Sequence, residues 1–64
     1  MPRYEIIFWN SARPDDDVTT HHRNGRNHAF EHLVNVCRVN SDMVGFVFDT
    51  NTNKRIMSIG VGLD

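Results

Sequence analysis

The sequence predicts a small two-layer α+β domain, one helix packed on a three-stranded sheet, in the chain order β-α-β-β. Three observations lead there. Residues 3–9, RYEIIFW, are dominated by aromatic and β-branched side chains, the composition that fits a pleated strand. Phe30, Leu33, Val34 and Cys37 recur at the i, i+3, i+4, i+7 spacing of one apolar helix face. Two alternating runs, MVGFVFD and KRIMSI, flank Thr50-Asn51-Thr52-Asn53 as hairpin arms flank a short loop. A single helix with so few strands has one economical packing, helix layer on sheet layer.

The first strand splits with period two into Tyr4, Ile6 and Phe8 on one side and Glu5, Ile7 and Trp9 on the other. Both sides are largely apolar, so it is expected to be covered on both. Residues 10–23 carry Pro14 and the run Asp15, Asp16, Asp17 before VTTHHR, and read as a polar loop. Asn24-Gly25 marks a turn. The helix is expected from about Arg26 to Val39, with Asn40 placed to close it in the left-handed conformation. In the hairpin, Asp49 opposite Lys54 sets Phe48 against Arg55, Val47 against Ile56, Phe46 against Met57 and Val44 against Ile59. That register sorts Val44, Phe46, Met57 and Ile59 onto one face, expected to lie under the helix, and leaves Val47 and Ile56 on the other. The short loop makes the hairpin strands neighbours. The first strand then falls at an edge of the sheet, parallel to the second strand or antiparallel beside the third.

The 64 residues allow a single domain, 1–64, of a size that is marginal without a disulfide, a metal or a partner chain. Cys37 is the only cysteine, which removes the internal disulfide and suits a reducing cytoplasm. No run approaches the roughly 18 apolar residues of a membrane span, and MPRYEIIFWN does not read as a leader. The expectation is a complete cytoplasmic protein with no membrane partner. A net charge of −1 and a pI near 6.4 lack the basic footprint of a non-specific nucleic-acid binder.

HAFEH, residues 28–32, fits the letters of an inverted zinc-peptidase pattern. Taking Phe30 as zero and about 100° per residue, His28 falls at about 160° and His32 at about 200°, away from the apolar stripe. Two histidines facing water on a helix lack the walls and the further ligand of a catalytic zinc, so a histidine metal site is the third-ranked reading. Asp15, Asp16 and Asp17 read as solvated carboxylates, and Cys37 as an inert thiol on the buried stripe. Gly60 and Gly62 precede no helix that would receive a phosphate. No catalytic set and no cofactor motif emerges.

The leading expectation is a non-enzymatic protein-interaction module, a homodimer of the accessory or inhibitory kind common in phage and mobile-element genomes. One helix covers one sheet face, and an apolar edge strand invites another chain. Its interface is expected at Ile6, Ile7, Phe8, Trp9, Val47 and Ile56. The second reading is nucleic-acid binding by a basic patch at the helix N-terminus. It would use Arg23, Arg26, His28 and His32, with Lys54 and Arg55 from the hairpin, and aromatic residues such as Trp9 or Tyr4 for stacking.

Overall fold

The computed structural model describes residues 2–13, 15 and 17–61. Pro14, Asp16 and Gly62, which figured in the loop, acidic-run and glycine readings, lie outside them. The elements are β1 (Tyr4–Asn10), β2 (Thr19–Arg23), α1 (Arg26–Val39), β3 (Met43–Asp49) and β4 (Lys54–Ile59). The strands form one antiparallel sheet in the order β2-β1-β3-β4, with α1 on one face. The α+β architecture and the helix are as the sequence predicts. The sheet has four strands, because TTHHR within the expected loop pairs with β1.

That extra strand moves β1 from the expected edge to the interior. β1 is antiparallel to β2 on one side and to β3 on the other, which accounts for its apolar composition on both faces. The edges are the polar β2 and the cationic start of β4, and polar or charged edges discourage strand addition.

The core face carries Tyr4, Ile6 and Phe8 of β1, with Val47 of β3, under Ala29 and Leu33 of α1. Ile6, Leu33, Val47 and Ala29 are 0% exposed. The helix therefore faces the sheet along Ala29, Leu33 and Val36, a line rotated from the Phe30–Val34 stripe. The alanine allows close approach, and Val34 turns outward at 42% exposure. Asn40 closes the helix in extended conformation (φ −136°), not the left-handed one. Its side-chain oxygen accepts from the Asp42 N–H at 3.0 Å, an Asx turn that leads into β3.

The hairpin register matches the expected one only at the loop end. Asp49 faces Lys54 and Phe48 faces Arg55, but Val47 then faces Met57, Phe46 faces Ser58 and Gly45 faces Ile59. The irregularity lies between Val47 and Phe48 and leaves Ile56 as the extra residue on β4. A bulge of this kind lets the bulged strand switch its alternation. Met57 and Ile59 thus join Val47 on the side that faces the helix, and Phe46 lies on the opposite side. Ile56 packs against the core as well.

One sequence-distant pair fixes an end of the sheet. Arg3 grips Asp49 with both arms of its guanidinium, Nε to Oδ1 at 3.0 Å and Nη2 to Oδ2 at 2.9 Å. Asp49 Oδ1 also accepts from the Asn51 N–H at 2.9 Å, shaping the hairpin loop. At mid-sheet, Gly45 opposes Phe8, and a Cβ there would collide with the Ile7 carbonyl and come within 2.7 Å of Phe8 Cβ. The strands approach too closely at this point for any larger residue.

Candidate functional site

The face of the sheet turned away from α1 is built by strand alternation alone. From β2 to β4, one row across it reads Thr20, Ile7, Phe46, Ser58, and the next reads His22, Glu5, Phe48, Arg55. Trp9 and Val44 pair beyond them. Ile7, Trp9, Val44, Phe46 and Phe48 are each partly exposed. Among the described residues no second helix or strand lies over this surface.

Its aromatic groups are mutually arranged. Trp9 and Phe46 meet edge to face, with centroids 6.2 Å apart and planes at 73°. The Arg55 guanidinium lies over the Phe46 ring, 4.2 Å from its centroid, a cation–π geometry that holds the cation on the face. At the other side of the row, Glu5 Oε2 stands 3.8 Å from His22 Nε2. Beside that pair, Pro2, Glu5, His22 and Thr50 enclose a shallow recess of about 450 Å³.

The expected interface residues divide between the two faces. Ile7 and Trp9 lie on the open face. Ile6, Phe8 and Val47 are buried beneath the helix, and Ile56, half-buried at the bulge, packs against the same core. Phe46, Phe48 and Val44 are surface residues that the sequence reading placed in the core or left unassigned. Aspartate and glycine share the parity of Val47 in MVGFVFD, which makes the double-phenylalanine face look like the core. The reversal arises because Arg3 satisfies the buried Asp49 carboxylate and Gly45 makes room for Phe8.

The expected basic patch does not gather on one surface. Arg23 lies on β2, and Lys54 and Arg55 lie on β4, at opposite edges of the sheet. Arg26 covers the Phe30 ring at 5.3 Å, and His28 is exposed on the helix. Tyr4, offered as a stacking residue, is buried on the core face beneath Arg3.

His32 does not pair with His28 toward water. It turns to β2, where its ring lies 4.7 Å from that of His21 and 6.1 Å from Phe8. Arg23 Nη2 stands 3.5 Å from His32 Nδ1, and His32 Nε2 is buried with no hydrogen-bond partner among the described residues. Burial first, then the charge of Arg23 and the proximity of His21, push the His32 pKa below its ordinary value. A guanidinium beside paired imidazoles opposes a cation. Among the described residues no three His, Cys, Asp or Glu side chains come together as metal ligands. No helix of the described residues is long and apolar enough to cross a membrane.

Fold and surface together define a small α+β scaffold with an aromatic-rich sheet face over which, among the described residues, no helix or strand lies. Compared with known protein families, with curated proteins and with solved structures, the chain matches none.

Proposed function

We propose that the chain is a non-enzymatic protein-interaction module, of the accessory or inhibitory kind, that works as a homodimer through its open sheet face. The observation that carries this reading is the contiguous placement of Ile7, Trp9, Val44, Phe46 and Phe48 on the face opposite the helix. Partly exposed apolar groups joined into one patch mark interaction sites on small proteins. A chain of 64 residues also gains from a partner the core area that its length denies it. The contact is face to face and not by β1 edge pairing, since β1 is interior. A cytoplasmic setting fits the single thiol, Cys37, whose pKa burial pushes up and whose reactivity is correspondingly low.

Light scattering from about 5 to about 200 µM, a range that spans weak association, tests the reading. The mass should move from that of one chain to that of two. Emission of Trp9, the only tryptophan, should shift to the blue as it does so. A one-chain mass throughout, with an unchanging spectrum, removes the dimer.

A second reading is favoured by one arrangement, the Trp9–Phe46 pair with Arg55 on the same face. Aromatic rings with an adjacent cation form a stacking platform for single-stranded nucleic acid. Anisotropy titration with a labelled oligothymidine at low and moderate salt tests it, because phosphate contacts weaken steeply as salt rises.

A further inference from the structure

We propose that two copies stack their open faces about a two-fold axis running along β3, so that Glu5 of each copy meets Arg55 of the other. This rests on the homodimer reading and specifies its geometry.

The two charges flank the aromatic groups symmetrically. In the row His22, Glu5, Phe48, Arg55, the carboxylate and the guanidinium lie one strand to either side of Phe48. A two-fold axis above β3 and parallel to it keeps β3 over β3 and exchanges β1 with β4. Phe46 and Phe48 then meet their own counterparts at the centre, and Glu5 meets Arg55 twice. An isologous contact requires a surface complementary to itself, and this row is self-complementary about β3.

Two other placements of the axis are worse. An axis between β1 and β3 lays Glu5 on the Phe48 ring and His22 against Arg55, which buries a carboxylate without a cation. An axis across the strands at this row sets Glu5 against Glu5 and Arg55 against Arg55, a like-charge contact costly at any interface. Stacked sheets lie about 10 Å apart, which suits interdigitating rings. Each charge is one strand, about 4.8 Å, from the axis. A crossing angle of about 30° therefore displaces it by only about 2–3 Å, within the reach of an arginine.

Sedimentation of Glu5→Arg, Arg55→Glu, an equimolar mixture of the two, and the double variant tests the axis. Each single variant places like charges at both symmetric contacts, and its dimer should weaken roughly tenfold or more. The mixture should recover association, because every like-charge contact becomes an opposite-charge one in the mixed dimer. The double variant should recover it alone. Thermal melts by circular dichroism establish that each variant is folded. Should a charge reversal fail to fold, Glu5→Gln/Arg55→Gln replaces it, and its dimer should lose the salt dependence that the unaltered chain shows.

Single variants that associate like the unaltered chain, or a mixture that does not recover, overturn this axis. If Phe46→Glu still dissociates the dimer in that case, the open-face homodimer stands. An unaltered chain that stays monomeric overturns both, and one that is monomeric yet binds oligothymidine assigns the face to nucleic acid.

Discussion

Asp49 is the buried charge on which the sheet end depends. Arg3 holds both of its oxygens, and the hairpin N–H groups add to that grip, so its pKa falls from an ordinary 3.8 to about 2. The largest contribution is the Arg3 side-chain hydrogen bond, set partly against burial, which acts the other way. A depressed carboxyl pKa means that the folded chain resists a proton that the unfolded chain accepts. Its stabilisation is complete above pH 3.8 and is lost as the pH falls toward about 2. Asp49→Asn should therefore be less stable than the unaltered chain near neutrality, and the gap should narrow through that acid window. Chemical denaturation at a series of pH values checks this, and a constant gap from neutrality to pH 2 would contradict it. Nothing near Asp49 in the chain advertises this partnership. Arg3 is 46 positions away, and only the antiparallel β1–β3 pairing brings the two together.

At the scale of elements, the face that α1 turns to the sheet decides what is core. Leu33 is 0% exposed and Val34 is 42% exposed, although both fit the apolar periodicity equally well. Leu33→Ala should cost about 2–5 kcal/mol, the range for emptying a buried leucine site. Val34→Ala should stay within about 0.5 kcal/mol, as expected for an exposed position, with helix propensity in its favour. Equal losses at the two positions, measured by urea unfolding, would return the helix to the rotation that periodicity suggests. The helix bounds were legible because Asn24-Gly25 and Asn40 bracket a strong pattern. Its rotation was not, because Ala29 adds little to a hydrophobic stripe and yet is fully buried against the sheet. β2 was illegible for a related reason. Thr19, Thr20, His21, His22 and Arg23 bury little apolar area, and the strand exists by pairing with β1. The bulge at Ile56 was equally silent, and by shifting half the hairpin register it put Met57 and Ile59 on the face of Val47 instead of that of Phe46. An open apolar face was therefore foreseeable from layer counting, but its membership was not.

For the whole molecule, one helix on a four-stranded sheet packs one face and leaves the other, among the described residues, without a helix or strand over it. By strand rise and spacing the open face measures roughly 20 Å by 20 Å. Stacking two copies covers on the order of 800 Å² in plan, below the roughly 1,200 Å² of a stable specific interface and in the range of weak, transient contacts. Weak association of that kind couples folding to concentration. With a dissociation constant on the order of 10 µM, raising the protein from about 1 to about 100 µM stabilises each chain by about 1 kcal/mol. For a domain of this size, a gain of that order raises the melting temperature by about 4–8 °C. Phe46→Glu, which puts a carboxylate at the centre of the stacked rings, should abolish the concentration dependence. It should leave the dilute melting temperature nearly unchanged, because Phe46 lies outside the helix-covered core. Melts of both proteins across that range separate two origins for the open face. A rise confined to the unaltered chain means that the face is completed by a second copy. A flat response in both means that the monomer tolerates the exposed rings and that they serve a different occupant.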